Sequence, residues 1–427
     1  MFSRSLNFLS ATSIFFLGSV GISIADSVDD CLAYREDAKK MIEICTDATR
    51  QRIPNAQTKS EVHDYLGYAF QQDGQRDEAL KHFNLSIETW SENPAAWEDL
   101  GWLHWEYESY AEALTAFDKA FDLSPSAARL SGKASALSYI GDSYLEALEL
   151  IQAAQAMDPE YVWAVSEEGW MHVRQDEYGL AKDLFKRLVN SHPDDAWHHL
   201  GLSMAESGLD DFEAARAAID NALAIEPNHP RFLVETAYIV RLQGDAAEAL
   251  EISDQVLGIE PLNDNALVQK SFALFDLGRN DEAIEVMRYG WENYPTSPYM
   301  IDRYIELLED MERNDLLIEL HKELVEIVPD NADYFIDLSY YYHEVDDAEG
   351  AKEAAQQAVR LAPEDPLGHY NLAYALVDLH ENDAAYDAIE AAVNAGLEKE
   401  DLGEFVTYVF GSGKMALGLK TSRLAFE

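Results

Sequence analysis

Few residues in this sequence have types and spacings that could carry out chemistry. His198 and His199 are neighbours on a predicted helix, where their side chains point about 100° apart and would not readily share a metal ion, so we expect surface histidines here. Gly411-Ser412-Gly413-Lys414 is the nearest match to a phosphate-binding loop, but an earlier glycine and a hydroxyl after Lys414 are missing. Gly201-Leu202-Ser203 lies within a predicted helix and cannot form the turn that exposes a catalytic serine. We therefore expect no enzyme activity, no cofactor and no dedicated metal site.

The two cysteines, Cys31 and Cys45, are predicted to form a disulfide. One unbroken helix would place their sulfurs about 20 Å apart, which is too far for a bond. Cys31 must therefore lie on a separate segment that folds back along a helix starting near Asp37, a good N-cap residue. Disulfides persist in oxidising compartments, so the pair also favours export.

The first 25 residues have the pattern of an export signal. One positive charge at Arg4 precedes an uncharged run, and Ser23-Ile24-Ala25 offers small residues at the cleavage positions. An uncleaved anchor helix is the alternative, because the run could nearly span a bilayer. No later stretch is long and apolar enough to cross a membrane. We expect an exported protein, periplasmic or extracellular, without a membrane span after cleavage.

The chain is strongly acidic, with 80 acidic and 31 basic residues and a formal charge of −49. Such a charge repels nucleic acid and anionic lipid. The acids could attract basic partners, maintain solubility in salt, or prevent self-association. Their even spread along the sequence favours a role in solubility or salt adaptation.

A 34-residue repeat organises the sequence. At this offset Leu66-Gly67 aligns with Leu100-Gly101, and Ala79 aligns with Ala113. Prolines recur at the same interval, at Pro125, Pro159, Pro193, Pro227, Pro261, Pro295, Pro329 and Pro363. Each unit shows two segments of helical apolar periodicity joined by a short turn. A single helical hairpin cannot bury its apolar face, so neighbouring hairpins must stack.

The repeat resembles the tetratricopeptide repeat family. The second repeat carries that family's signature in order, at Trp97, Leu100, Gly101, Ala113, Phe117, Ala120 and Pro125. The resemblance implies an all-α solenoid of about ten stacked antiparallel helix pairs in a right-handed superhelix. In the fifth unit we take Gly201 as the signature glycine and Leu202 as the residue after it, which requires a two-residue insertion near Leu209 to Phe212. The eighth unit is expected to pack less tightly or to bend, because Glu312 and Leu317 replace a glycine and an alanine.

Four segments follow from this reading. Residues 1–25 are the signal, 26–59 a degenerate half-repeat or cap tied by the disulfide, and 60–397 the ten repeats. Residues 398–427 contain a capping helix over Asp401 to Phe410 and a basic tail. That tail could fold onto the acidic body, onto another copy, or remain loose.

An aromatic stripe follows the signature glycine in seven of the ten units. In the repeat family this position faces a concave groove where partners bind, so the resemblance implies a partner-binding groove. Its residues are Tyr68, Trp102, Trp105, Trp170, Tyr238, Phe272, Tyr340 and Tyr374, of which Trp105 lies one turn further on. Packing between neighbouring first helices is the alternative role of these rings.

The sequence favours a non-enzymatic scaffold or adaptor of the cell envelope. Aromatic faces beside carboxylates favour Lys- or Arg-containing segments, through cation–π contacts and charge pairing. Arg174, Arg231 and Arg241 make the middle of the groove less acidic. The alternative is a periplasmic scaffold that binds glycan or assists polysaccharide export, because aromatic platforms also stack on sugar rings.

Overall fold

The computed structural model describes residues 26–35, 37–141 and 143–424. The predicted export signal, residues 1–25, lies outside the described residues. Over the described ranges every regular element is a helix and no strand occurs. No helix in this part of the chain combines the length and the apolar character that a membrane crossing requires. The all-α solenoid fold predicted from the repeat is confirmed.

The chain divides into two compact units, which we name the first unit and the second unit. Each of them is a stack of several repeats, and each repeat is one helix pair. The first ends at Glu235 and the second begins at Thr236, within α13 (Pro230–Leu242). The other helices of the first unit are α1 (Asp26–Ala33), α2 (Ala38–Thr49), α3 (Ala56–Gln72), α4 (Arg76–Thr89), α5 (Pro94–Glu106), α6 (Tyr110–Leu123), α7 (Ala127–Leu137), α8 (Tyr144–Met157), α9 (Val162–Arg174), α10 (Tyr178–Ser191), α11 (Ala196–Ser207) and α12 (Phe212–Ile225).

The second unit continues the same alternation of first and second helices. Its other helices are α14 (Ala246–Ile259), α15 (Asp264–Asp276), α16 (Asn280–Asn293), α17 (Pro298–Asp310), α18 (Asn314–Ile327), α19 (Ala332–Glu344), α20 (Ala348–Leu361), α21 (Pro366–Asp378), α22 (Asn382–Asn394), α23 (Lys399–Gly411) and α24 (Met415–Thr421).

The 34-residue register is uninterrupted, so the insertion predicted in the fifth unit is absent. Helix α10 begins at Tyr178 and α12 at Phe212, 34 residues later. The turn before α12 has a left-handed residue at Asp210, 34 residues after the left-handed Asp176. Constant spacing of both features leaves no room for extra residues.

The register also changes which residue of α11 occupies the position directly after the signature glycine. We call this position of the aromatic stripe the ring position. The Ser203 hydroxyl donates to the carbonyl of Ala215 at 2.9 Å, as Ser339 does to the second helix of its own pair. Ser203 therefore takes the place that we assigned to Gly201. The residue that follows it is Met204, and not Leu202.

Small residues set how closely the helices approach. A methyl group added at Gly101 would lie 2.8 Å from the Phe117 ring, and one added at Gly132 would lie 2.6 Å from the same ring. Real β-carbons do not tolerate such distances from a packed ring. Phe117 is thus held between two glycines, one on α5 and one on α7.

The eighth unit keeps its turn and fills its core with larger side chains. Glu312 adopts a φ of 53°, in the left-handed region that Gly278 occupies one unit earlier. Leu317 is fully buried, in the same cluster as Met300 and Tyr304. Leu317 thus replaces the alanine that the other units carry at this position, such as Ala283 and Ala351.

The ends of the described chain carry elements outside the ten pairs. The sulfurs of Cys31, on α1, and Cys45, on α2, lie 2.08 Å apart, as predicted for a disulfide. The Asp37 side chain accepts a hydrogen bond from the Lys40 amide at 2.7 Å and caps α2. Helix α23 covers the segment predicted to cap the other end, and α24 follows it, with Leu417 buried.

Candidate partner-binding surfaces

The first unit brings together a set of rings, the tryptophan cluster, with Trp102 and Trp105 on α5, Tyr110 on α6, Tyr139 just after α7 and Trp163 on α9. The Trp102 ring meets Trp105 at 6.0 Å and Trp163 at 5.1 Å between centroids, both edge-on. Tyr110 and Tyr139 stack at 4.5 Å, and Trp105 lies 5.9 Å from Tyr139. These contacts join helices of three successive pairs.

A small residue allows this cluster to form. The ring position of the third unit is Ala136, which is fully buried. Because α7 carries no large side chain there, Trp102 on α5 reaches Trp163 on α9. Trp102 also packs edge-on against Phe117, at 4.9 Å. Its ring is therefore half-buried and held from several sides.

The charges around the tryptophan cluster are largely compensated within the protein. Glu98 pairs with Arg129 at 3.1 Å, and Glu167 pairs with Arg174 at 3.1 Å. The Arg174 guanidinium also lies 4.5 Å from the Tyr139 ring. Burial raises the pKa of Glu167, and the charge of Arg174 opposes that rise. A basic partner would therefore compete here with arginines that the chain supplies itself.

Four other predicted groove rings are largely involved in packing. Tyr68 is half-buried against the core of the first pair, and Trp170 packs edge-on against Phe185 at 5.0 Å. Phe272 is only 6% exposed, with the Arg241 guanidinium 5.2 Å from its ring. Tyr238 is half-buried.

Tyr374 belongs to a second packed group. Its ring lies 4.7 Å from Tyr408 and 5.1 Å from Phe405, both on α23. The Tyr408 hydroxyl donates to Asp378, and His343 lies 3.2 Å from the same carboxylate. This group ties α21 to α23 and to the end of α19.

Tyr340 differs from the other seven predicted rings, because it is 50% exposed. We call its surroundings the Tyr340 surface, which consists of Glu309, Asp310, Tyr340 and Glu344. Burial, and then the charges of Glu344 and Glu309, raise the pKa of the Tyr340 phenol. Glu309 accepts a hydrogen bond from Tyr341 at 2.7 Å.

The acids of the Tyr340 surface are open to solvent. Glu309, Asp310 and Glu344 are all exposed. No described basic residue forms an ion pair with any of them. This surface can therefore offer a ring face and several carboxylates to a cation.

Three members of the tryptophan cluster, Tyr110, Tyr139 and Trp163, were not among the sequence predictions. Tyr139 occupies the same repeat position as Trp105, 34 residues later, so the register itself was a usable signal. Trp163 lies at the start of α9, where the sequence carries no comparable mark. Only the folded arrangement of α5, α7 and α9 reveals its contact with Trp102.

The described residues contain no group of three or more side chains suited to hold a metal ion. His198 is buried, with its Nε2 atom 3.7 Å from the Asp195 carboxylate. His199 instead approaches the Pro193 carbonyl at 2.9 Å through its own Nε2 atom. We had expected surface histidines here, but both are buried and directed to different partners, because α11 packs tightly against its neighbours.

Comparison with solved structures finds helical repeat proteins of low sequence identity. A tetratricopeptide repeat protein from Parabacteroides merdae ATCC 43184 is 15% identical, with 58% of this chain and 98% of that chain covered and a TM-score of 0.47. PilW, a type IV pilus biogenesis factor, is 18% identical, with coverages of 48% and 96% and a TM-score of 0.43. A thermophilic protein of this kind from Thermus thermophilus is 20% identical, with coverages of 42% and 98% and a TM-score of 0.38.

A search of curated proteins finds no significant match. Three models of the tetratricopeptide repeat family do match the sequence. The first covers residues 66–128 and 200–266, the second 241–300 and the third 332–365. The matched segments coincide with helix pairs that keep the 34-residue register. The chain therefore belongs to the tetratricopeptide repeat family.

Proposed function

We propose that this protein is a non-enzymatic interaction scaffold of the cell envelope, which binds a Lys- or Arg-containing segment of a partner protein on its first helices. The Tyr340 surface is the observation that carries this proposal. There an exposed ring stands beside carboxylates that no described cation neutralises. Membership of a family built from interaction repeats supports the scaffold role.

The chemistry of this surface favours a cation over a neutral or acidic ligand. A Lys or Arg side chain over the tyrosine face gains roughly 0.5–1 kcal/mol at an exposed site. Carboxylates at the rim add attraction that salt screens over about 8 Å at physiological ionic strength. Binding should therefore be moderate in strength and should weaken as salt rises.

A labelled peptide of Lys, Arg and Gly tests the proposal by fluorescence anisotropy. Tyr340→Ala should weaken binding roughly fivefold, as expected for the loss of about 1 kcal/mol. Tyr289→Ala is the matched control, because Tyr289 is 47% exposed on a second helix of the same unit. Equal binding by the two variants would show that Tyr340 contributes nothing.

A second pair of variants separates local acids from the overall charge. The triple change E309Q, D310N and E344Q removes three charges from the Tyr340 surface. The triple change E251Q, E285Q and E353Q removes three exposed charges from second helices instead. Only the first should reduce binding strongly. If both triple variants reduce peptide binding equally, the binding depends only on the net charge of the protein.

The tryptophan cluster favours a different ligand, a glycan, as the alternative function. Its ring faces are partly open, with Tyr139 38% exposed, and the acids Glu98 and Glu167 beside it are already paired with arginines. A neutral sugar ring could stack there without competing with arginines. Binding of a neutral oligosaccharide that is insensitive to salt and is lost in Tyr139→Ala would favour this alternative over the peptide.

We place the protein outside the cytoplasm, with the periplasm as the first expectation. The signal pattern of residues 1–25 and the Cys31–Cys45 disulfide support this placement. Cell fractionation and N-terminal sequencing test it. A mature chain that begins at Asp26 in the exported fraction is the expected result, and an intact Met1 in the cytoplasm is the contrary one.

A further inference from the structure

Helix α24 and the turn after it form an exposed patch that differs in charge from the rest of the protein. From Phe405 to Leu424 the sequence has no acidic residue, although the whole chain has 80. We call this the basic apolar patch, which consists of Met415, Leu419, Lys420 and Arg423. Met415 is 64% exposed and Leu419 is 60% exposed. These two side chains are four residues apart and share one face of the helix.

Contacts with the rest of the protein hold α24 and its patch in place. Leu417 and Thr421, on the opposite side of α24, are buried. The Lys420 ammonium lies 3.2 Å from the centre of the Tyr386 ring on α22. The Gly418 backbone also packs closely on Phe410, since an added methyl group would lie 2.6 Å from that ring. Two apolar side chains and two cations are therefore presented in a defined arrangement.

The charges decide among the possible occupants of this patch. A chain with a formal charge of −49 is repelled as a body by an anionic membrane and equally by a second copy, so only the local match of charge and apolar surface can favour an occupant. The same patch on a second copy repels it too, because Lys420 and Arg423 would face like charges. An acidic surface with an exposed ring is complementary, and the second unit carries one, the Tyr340 surface.

We propose that the basic apolar patch of one copy docks on the Tyr340 surface of a second copy. Arg423 meets the carboxylates of Asp310 and Glu344, while Met415 and Leu419 cover the Tyr340 ring. We place this contact twice in a two-fold symmetric dimer, in which each copy offers its patch to the Tyr340 surface of the other. This inference rests on the proposed function, since it names the occupant of the surface that binds cations.

Sedimentation velocity of the purified protein, from about 1 to 100 µM at low and high salt, tests the association. We expect a concentration-dependent dimer that dissociates as salt rises. Met415→Ser with Arg423→Glu should give a monomer, and so should Asp310→Arg with Glu344→Arg. Leu145→Ser is the control for a surface apolar residue, because Leu145 is 71% exposed in the first unit and should leave the dimer intact.

Mixing the two monomeric variants gives the decisive result. One copy then carries an acidic patch and the other a basic Tyr340 surface, so both contacts of a mixed dimer are complementary again. Recovery of a dimer only in the mixture supports the proposal. A wild type that stays monomeric at low salt overturns it, as does a dimer that neither variant disrupts.

Two further readouts separate this inference from the proposed function. A monomeric protein that still binds the Lys/Arg peptide at Tyr340 overturns the dimer and leaves the proposed function in place. A wild type that forms the dimer, while its monomeric Met415→Ser, Arg423→Glu variant with an uncovered Tyr340 surface fails to bind the peptide, supports the dimer and contradicts the proposed function. Binding to phosphatidylglycerol vesicles that depends on Arg423, without dimer formation, would assign the patch to a membrane and overturn the inference.

Discussion

Trp102 and Tyr340 occupy the same position of the repeat, yet the fold treats them in opposite ways. Trp102 is half-buried and meets three other rings within 6.0 Å. Tyr340 is 50% exposed, and the one ring close to it is Tyr341, at 5.3 Å, among the described residues. The position in the repeat therefore does not by itself determine whether a ring can meet a partner.

Side chains from neighbouring repeats account for this difference in exposure. Next to Trp102 the ring position is Ala136, which leaves space that Trp102 and Trp163 fill. Next to Tyr340 the corresponding residue is Tyr374, whose ring is already engaged with Phe405 and Tyr408. The small Ala136 thus admits Trp102 into the packed layer, whereas the large and engaged Tyr374 leaves Tyr340 outside it.

The acidic side chains differ between the tryptophan cluster and the Tyr340 surface in the same way. Near the tryptophan cluster Glu98 and Glu167 are buried and paired with arginines. Glu206, also in the first unit, is buried between Lys182 and Lys186, at 2.5 and 3.1 Å. The acids of the Tyr340 surface have no such partners among the described residues. Four changes test how far this contrast extends.

The largest expected effect comes from Trp102→Ala. Removal of a packed ring of this size should lower the free energy of unfolding by about 3 kcal/mol. Tyr340→Ala should lower it by no more than about 0.5 kcal/mol, because its ring is half-exposed. Urea denaturation followed by circular dichroism measures both. Equal losses would contradict the division into packed and open rings.

Gly132→Ala should be the next largest change. The added methyl would lie 2.6 Å from Phe117, against which Trp102 packs, so the ring must move or the helices must separate. Overpacking of this kind costs about 2 kcal/mol. Gly179→Ala is the control, because nothing lies within 4 Å of the added atom and helix propensity should improve. Thermal unfolding should shift in opposite directions for the two variants.

Glu235→Gln tests the cost of a buried acid in the first unit. Burial raises the pKa of Glu235 to about 7, while the Arg231 charge lowers it. The folded state thus prefers the protonated acid, so its contribution to stability is present below the unfolded pKa and is lost as pH rises through about 7. The variant should be more stable than the wild type at pH 8 by about 1 kcal/mol and equal to it near pH 4. A constant difference across this range would refute the assignment.

The smallest effect concerns a histidine pair in the first unit. The Nδ1 atoms of His63 and His82 lie 3.1 Å apart, and burial followed by the His63 charge lowers the pKa of His82 to about 4. The neutral ring is favoured in the fold, so its stabilising effect is present above the unfolded pKa and declines as pH falls towards 4.

His82→Phe should remove that decline. The melting temperature of the wild type should fall by a few degrees more than that of the variant between pH 7 and pH 4.5. The His82 ring stacks on Phe70 at 5.4 Å, so phenylalanine can occupy the same space. Parallel melting curves would show that the stability of the pair does not depend on pH.

The Tyr340 surface contains no histidine, so peptide binding should change little between pH 6 and pH 8.

Most of the fold was predictable because its signals are local. The 34-residue period, the prolines after each second helix and the small residues of the helix pairs lie within single units. The cysteine pairing was predictable because the chain has two cysteines, and the pairing required α1 to fold back along α2, which starts after Asp37. The error in the fifth unit had the same local origin, because Gly201 resembles the signature glycine more closely than Ser203 does.

The sequence by itself determined the family, the all-α architecture, the disulfide and the acidity. Only the tertiary structure decided which rings of one repeat position are buried and which acids are neutralised. The physical reason is that exposure depends on side chains from neighbouring units, such as Ala136 beside Trp102 and Tyr374 beside Tyr340. Ion pairs such as Glu98–Arg129 likewise join residues of different units, and no pattern within one unit predicts them.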